Sequence, residues 1–190
     1  MRLYHIGISL KEGMILTNNY NKTDTLVEPF LMALEKEDPA FEMLLIEARY
    51  IRAVMRKNRM REWSNYAKWS TEAIFEHIRR QEFPDRYSRI GSIFYYDSLE
   101  SCKKLYQKDY VEPGDADETV GMFEIEVDDN APQRFDMHIY DEALDSIEES
   151  HNIQFARECA RKYFEGSIHE NRLEEILSNK KAKVVKKLNL

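Results

Sequence analysis

Apolar and polar positions alternate with a period of two in several short stretches, and this alternation predicts β-strands. The first stretch is RLYHIGI at residues 2–8, and the most regular is VGMFEIEV at 120–127. IGSIFYYD at 90–97 is rich in β-branched and aromatic residues, which favour strands. LEEIL at 173–177 and AKVVKKL at 182–188 predict a strand or strand pair near the end of the chain.

Between residues 25 and 82 the apolar positions recur every three to four residues, which is the period of an α-helix. Further helices are predicted at 141–149 and 152–165, the second ending at Gly166. The order of strand, helical block, strand, helix and strands predicts an α+β fold with a mixed or antiparallel sheet. We expect one domain over 1–190, with 25–82 as a helical insert within it.

The stretch RFDMHIY at 134–140 also alternates and is interpreted as a strand. Asp136 and His138 would then share one face, and they form a reserve acid–base pair for a hydrolytic reaction. Glu174 and Glu175 would point to opposite faces of their strand, so at least one of them would face solvent.

Composition indicates a folded, intracellular protein. The chain has 190 residues, 43% of them hydrophobic, which is enough to form a packed core. Cys102 and Cys159 lie far apart and are interpreted as buried thiols. The chain does not open with a secretory pattern, and no apolar run approaches the roughly 20 residues that cross a bilayer. We therefore expect a cytoplasmic protein with no membrane partner.

The net charge of −7 argues against indiscriminate binding to nucleic acid, but the charge is unevenly spread. Residues 49–61 hold six basic side chains and no acidic one, and Trp63, Tyr66 and Trp69 follow. Charge combined with stacking rings is typical of a nucleic-acid surface. The residues predicted to make these contacts are Arg52, Arg56, Lys57 and Arg59. The alternative is an ordinary solvated helix face.

The common nucleotide, redox and hydrolase motifs are missing from the sequence. It contains no P-loop, GxGxxG, CxxC pair, HExxH or GxSxG. Its five histidines form no i,i+4 pair of the kind that holds a metal on a helix. We therefore predict no metal site.

Three short motifs remain, and together they resemble the ADP-ribosyltransferase superfamily. In this family the first strand carries a His in a frame like Tyr4-His5-Ile6-Gly7. The family's second motif is a strand, a turn and a helix. In this sequence it resembles IFYYDS at 93–98 and the predicted helix that follows to Tyr106. A late strand with a glutamate resembles EILS at 175–178, before a valine-rich strand.

The resemblance implies NAD as the substrate and nicotinamide as the leaving group. Glu175 would bind the ribose 2′-OH and stabilise the positive charge of an oxocarbenium-like transition state, as in glycoside cleavage. His5 would donate a hydrogen bond to a ribose hydroxyl of the adenosine half, with Gly7 beside it. Arg89, or else Arg86 or Arg2, would pair with the pyrophosphate.

One departure from the family concerns the aromatic residue that stacks on nicotinamide. If the strand is aligned with the family motif without a shift, Phe94 occupies this position. If the alignment is shifted, Tyr95 or Tyr96 occupies it instead. Alternation puts Phe94 and Tyr96 on one face with Ser92, and Tyr95 on the other. Ser92 is a further candidate, because a serine of this strand supports the glutamate in another branch of the superfamily.

The resemblance implies a mono-ADP-ribosyltransferase, which is a glycosyltransferase of the pentosyl-transferring type. Small members of this family are often toxins of bacterial or phage-defence systems. Such a toxin would have an antitoxin protein as its partner. The acceptor would be a macromolecule, with RNA or DNA favoured over protein. The alternative is a non-catalytic binding module on the same fold. In that interpretation His5 is an ordinary strand histidine, and the Phe at position 94 reflects the loss of transferase activity.

Overall fold

The structure is a computed structural model. It describes residues 1–18, 24–36, 38–58, 66–112 and 119–188, with side chains for all of these except 24, 38 and 50–58. Its elements in chain order are β1 (Arg2–Ile8), β2 (Ile15–Leu16), α1 (Asp24–Lys36), α2 (Asp38–Asn58), α3 (Tyr66–Glu82), β3 (Ile93–Tyr95), α4 (Leu99–Tyr106), β4 (Val120–Val127), β5 (Gln133–Asp136), α5 (Met137–Ser150), α6 (Ile153–Glu165), β6 (Glu174–Ser178) and β7 (Ala182–Lys187).

The chain forms two compact units, each built from segments that are separate in sequence. The first, here called the sheet unit, comprises Met1–Asn21, Gly91–Met137 and Asn171–Leu190. The second, the helical unit, comprises Lys22–Ile90 and His138–Glu170. It therefore contains α5 and α6 in addition to the helices predicted between 25 and 82.

The sheet unit contains two antiparallel sheets. One has the strand order β1-β4-β7-β2, and the other has the order β3-β6-β5. All the pairs within them are antiparallel, including β1 with β4 and β3 with β6. The α+β class with antiparallel strands is thus confirmed, and each strand joins partners that are distant in sequence.

Apolar residues from both sheets form the core of the sheet unit. Leu3, Phe123 and Ile125 of the first sheet are in one buried cluster with Tyr95 and Ile176 of the second. The opposite side of β1 and β4 is covered by α4, which begins at the N-cap Ser98. Its buried residues pack in a second cluster together with Tyr96, Val120 and Met122.

Both cysteines are buried and free, as predicted. Burial raises the pKa of the Cys102 thiol to about 12 and that of Cys159 to about 11. Thiols held this far in the protonated form are poor nucleophiles, so their role is packing.

The helical unit is held together by aromatic side chains from three helices. The Phe75 ring of α3 contacts the rings of Tyr140 and Tyr163 at centroid distances of 5.2 and 5.3 Å. Phe164 of α6 contacts Phe75 at 6.1 Å. Gly166 ends α6 with a φ of 87°, in the left-handed conformation that glycine adopts without strain, as predicted.

The prediction of a strand across 134–140 is wrong after Asp136. The strand β5 ends at that residue, and Met137 opens α5. Ile139, Tyr140 and Ala143 are buried at helical spacing, so their packing favours a helix over continued alternation. Asp136 and His138 therefore do not share a strand face, and the Asp136 carboxylate instead accepts a hydrogen bond from the Leu173 amide at 3.1 Å.

Candidate functional site

Three strands of the sheet unit that carry the sequence motifs are joined to one another. The Tyr4 amide of β1 donates to the Tyr96 carbonyl at 2.8 Å, and the Tyr96 amide donates back to the Tyr4 carbonyl at 2.8 Å. The strand β3 also pairs with β6, where Phe94 lies opposite Leu177. The candidate site is defined here as His5 on β1, Ser92, Phe94 and Tyr96 on and beside β3, and Glu175 on β6.

His5 is held as a neutral ring with a defined tautomer. Its side chain is 3% exposed, and Nδ1 lies 2.7 Å from the Phe94 carbonyl oxygen. A carbonyl only accepts, so Nδ1 carries the hydrogen and Nε2 carries a lone pair. Burial lowers the pKa of His5 to about 4, although the Phe94 hydrogen bond opposes this shift. In this tautomer Nε2 can accept a hydrogen bond but not donate one, so donation to a ribose hydroxyl would require a second proton on the ring.

The register of β3 with β6 shows which aromatic residue shares a face with Glu175. Phe94 lies opposite Leu177, so these two side chains project from the same face. Because faces alternate along a strand, Glu175 is on that face with Leu177, and Ser92 and Tyr96 are on it with Phe94. Tyr95 lies opposite Ile176 and belongs to the core cluster on the other face. The His5 ring lies on that other face too, since its centroid is 5.8 Å from that of Tyr95.

Glu175 and Tyr96 form a buried acidic pair in the candidate site. The Glu175 residue is 1% exposed and Tyr96 is 5% exposed. Burial raises the pKa of the Tyr96 phenol well above its usual value, and the Glu175 carboxylate raises it further. The phenol therefore stays protonated near neutral pH, while the carboxylate lies where a low dielectric strengthens its effect on nearby positive charge.

The neighbouring Glu174 has a different role. It is half-buried and contacts the guanidinium groups of Arg134 and Arg172. Arg134 also lies 3.5 Å from Asp97. Glu174 thus belongs to a surface network of ion pairs on the face opposite to Glu175, which agrees with the prediction that the two carboxylates diverge.

Ser92 and Gly7 are both buried in the sheet unit. Ser92 is 3% exposed, and its hydroxyl has no hydrogen-bond partner among the residues that the structure describes. Gly7 pairs in register with Gly121 of β4. It follows His5 by two residues and so shares its face of β1.

Arg89, predicted to contact a pyrophosphate, lies in the helical unit and is 5% exposed. Its Nε lies 3.0 Å from the Glu72 carboxylate, and its Nη1 donates to the Tyr163 hydroxyl at 2.9 Å. The guanidinium also stacks on Tyr140, with 3.9 Å from Cζ to the ring centre. Phosphate binding by Arg89 would require these buried contacts to break.

The other two arginines considered for the pyrophosphate are closer to the surface. Arg2 begins β1, and its exposed guanidinium pairs with Glu124 at 2.8 Å. Arg86 is half-buried, and its carbonyl accepts a hydrogen bond from Arg79 at 3.1 Å. Arg2 is thus the candidate that belongs to the sheet unit.

The predicted nucleic-acid surface is described only in part. Arg52, Arg56 and Lys57 fall within α2, but their side chains, like all of Arg59 and Trp63, lie outside the described residues. Tyr66 is 2% exposed, and its hydroxyl lies 3.2 Å from Nε2 of His151. Tyr66 therefore belongs to the core of the helical unit rather than to a surface that stacks on bases.

Two buried polar residues at the far end of β6 were not found by sequence reasoning. The Ser178 hydroxyl donates to the Asp129 carboxylate at 2.6 Å. Asp129 is 7% exposed, and its charge adds to burial in raising the pKa of Tyr95. These residues are 49 positions apart, and neither lies in a recognisable motif, so the sequence carries no signal for the pair.

Within the described ranges, no set of three or more His, Cys, Asp or Glu side chains is arranged to hold a metal ion. None of the helices in these ranges combines the length and apolar character needed to cross a membrane.

Comparison with known proteins places the chain in a family. No curated protein matches the sequence. A family described as "Protein of unknown function (DUF2441)" matches residues 3–190, which is nearly the whole chain. The match includes β3, β6 and all of β1 except its first residue, and hence every residue of the candidate site. The chain therefore belongs to the DUF2441 family.

Proposed function

We propose that the chain is an NAD-dependent mono-ADP-ribosyltransferase, a glycosyltransferase with an ADP-ribosyltransferase-type arrangement of its two antiparallel sheets. The observation that carries this proposal is the meeting of the three motif strands. Tyr4 of β1 bonds to Tyr96 next to β3, and β3 pairs with β6 beside Glu175. Motifs that are some 80 residues apart in sequence thus meet on neighbouring strands, with Phe94, Tyr96 and Glu175 on one face and His5 against Tyr95 on the other.

The reaction breaks the bond between ribose C1′ and the nicotinamide nitrogen, and nicotinamide leaves with the electron pair. The ribose then carries positive charge until the acceptor's nucleophile bonds to C1′ and loses its proton. A carboxylate in a low-dielectric site stabilises positive charge strongly. It therefore lowers the energy of the transition state, in which the charge on the ribose is largest. Glu175 supplies the carboxylate, since it lies on the face of Phe94 and Tyr96, whereas Glu174 lies on the opposite face.

The neighbouring residues have distinct roles in this proposal. Phe94 is half-buried on the face of Glu175 and is the ring that stacks on nicotinamide. Tyr96 remains protonated and is able to donate a hydrogen bond beside the carboxylate. His5 accepts from a ribose hydroxyl through Nε2, because Nδ1–H is bound to Phe94. Arg2 replaces Arg89 as the group that pairs with the pyrophosphate.

The acceptor is a macromolecule, with RNA or DNA favoured over protein because of the basic stretch at 49–61. A cytoplasmic toxin of a bacterial or phage-defence system, neutralised by an antitoxin protein, fits this activity. A second candidate function is a non-catalytic binding module. The observation that favours it is the deep burial of Glu175 and His5, at 1% and 3% exposure.

Binding of NAD at the candidate site is tested by ring-nitrogen NMR of the histidines. On addition of NAD, we expect the Nε2 signal of His5 to shift toward that of a hydrogen-bonded acceptor, while Nδ1 stays protonated. His169, a histidine of the helical unit, serves as an internal control and should not move. If millimolar NAD moves no resonance of β1, β3 or β6, the enzyme proposal fails and the binding module takes its place.

A further inference from the structure

The two sheets of the sheet unit are joined to each other beside His5. The Nδ1–H group of its ring donates to the Phe94 carbonyl oxygen at 2.7 Å, so a side chain of β1 holds the main chain of β3. Next to this bond, the amides of Tyr4 and Tyr96 each donate to the other's carbonyl at 2.8 Å. Together these hydrogen bonds connect β1 to the stretch 94–96, and we call this connection the sheet junction.

The His5 ring lies among apolar side chains. It shares a strand face with Leu3, and it lies opposite Phe123 of β4. Both of these residues belong to the buried cluster of the sheet unit, as does Tyr95, whose ring centre is 5.8 Å from that of His5. A charged imidazolium in these surroundings would lose the water that stabilises it in the unfolded chain. The ring is therefore much harder to protonate in the folded protein.

The charged and titratable groups around the sheet junction do not offset this cost. Tyr95 is the ionisable member of the buried cluster, and its phenol stays protonated because burial and the charge of Asp129 both raise its pKa. The Asp129 carboxylate is itself engaged by hydrogen bonds from a neighbouring hydroxyl and a main-chain amide. Arg2 and Glu124 pair with each other on the opposite face of β1 and β4, and Glu175 is on the opposite face of β6.

We propose that His5 is an acid-sensitive fastener of the two sheets: as a neutral ring it joins β1 to β3, and uptake of a second proton from solvent releases the sheet junction before the rest of the sheet unit unfolds. A protonated ring keeps its bond to Phe94 only if it stays buried as a cation. Turning out to water relieves that cost, and the contact with Phe94 is then lost together with the Tyr4–Tyr96 pair. The proposal concerns the sheet unit alone and does not depend on NAD chemistry.

The direction of the pH effect follows from the two states of the ring. Burial lowers the pKa of His5 from its ordinary value of 6.5 to about 4 in the folded protein. Between these two pH values the unfolded chain binds a proton that the folded chain does not, so acid favours the opened and unfolded states. His5 alone is expected to raise the equilibrium constant for unfolding by roughly fiftyfold between about pH 7 and about pH 4.5.

Urea unfolding of the full chain at these two pH values measures the contribution of His5. The variant His5→Asn keeps an N–H group near the position of Nδ1 but does not titrate in this range, so its unfolding constant should change roughly fiftyfold less than that of the wild type. The variant His169→Asn changes a partly exposed histidine of the helical unit and should keep the wild-type pH dependence. The proposal is overturned if the unfolding constant of His5→Asn responds to acid as strongly as that of the wild type.

Amide hydrogen exchange in the wild type tests the release itself and does not require a variant to fold. At about pH 4.5 the protection factors of the Tyr4 and Tyr96 amides should be at least about tenfold lower than at neutral pH. The Val184 amide, which donates to the Met14 carbonyl at 2.9 Å in the first sheet, should keep its protection. Unchanged protection of Tyr4 and Tyr96, or an equal loss at Val184, would contradict a local release. A His5 ring that titrates near its ordinary pKa by NMR, while these amides stay protected, would contradict it as well.

Discussion

Replacing Glu175 by Gln is expected to lower the rate of nicotinamide release from NAD by at least about a hundredfold, the usual scale for losing one electrostatic contact to a transition state. Gln has nearly the same shape as Glu but no charge, so it cannot stabilise the positive ribose. Because the substitution acts mainly on the transition state, the affinity for NAD in the ground state should change little. The measurement is nicotinamide release over time, with NAD affinity by calorimetry alongside.

The neighbouring residue provides a matched control. Glu174→Gln removes a carboxylate one position away on the same strand, but on the face that carries Arg134 and Arg172. Its rate of nicotinamide release should stay within about twofold of the wild type, because Glu174 lies on the face of β6 opposite to Glu175. If Glu175→Gln remains fully active while Glu174→Gln is inactive, the assignment of the carboxylate is wrong.

Replacing Arg89 by Ala is expected to lower the free energy of unfolding by about 3–5 kcal/mol. The substitution leaves the Glu72 carboxylate in the interior without its cation, and it removes the donor to the Tyr163 hydroxyl. It also removes the guanidinium that lies 3.9 Å from the Tyr140 ring centre. Urea unfolding of the full chain, followed by circular dichroism, measures the loss.

Two further variants separate this buried cluster from surface ion pairs. Arg161→Ala breaks the Arg161–Glu82 pair at 2.8 Å, where both side chains are more than a third exposed, and it should cost less than about 1 kcal/mol. Adding Glu72→Gln to Arg89→Ala removes the buried charge and should recover part of the stability. If Arg89→Ala is as stable as the wild type but loses NAD affinity, Arg89 is a ligand for the pyrophosphate, as the sequence suggested.

The strands were predictable where the hydrophobic pattern and burial agree. VGMFEIEV and RLYHIGI are both strands in the structure. Their alternation arises because one face packs in the sheet core, while the other is covered only in part by α4 and carries Tyr4 and Glu124, which are half-buried. The error at 134–140 has a physical cause. A four-residue strand passes directly into α5. Phe135, Met137 and Ile139 recur at every second position, as in a strand, although the chain is already helical from Met137.

The residues of the candidate site could be proposed from the sequence, but the tautomer of His5, the partners of Arg89 and the faces of the strand residues could not. The tautomer of His5 depends on a carbonyl 89 positions away, and the fate of Arg89 depends on Glu72 and on Tyr163, 74 positions away. Such contacts leave no local pattern. The register of β3 with β6 likewise decided that Phe94 and Tyr96, and not Tyr95, share a face with Glu175.

Transfer of label from NAD to a macromolecule tests the central claim most directly. Purified protein would be incubated with NAD labelled in its adenylate part and a cell lysate, which is then separated into RNA, DNA and protein fractions. We expect label in one fraction, most of all RNA or DNA, and this label should depend on Glu175 and not on Glu174. Label in no fraction, together with no release of nicotinamide, would contradict it.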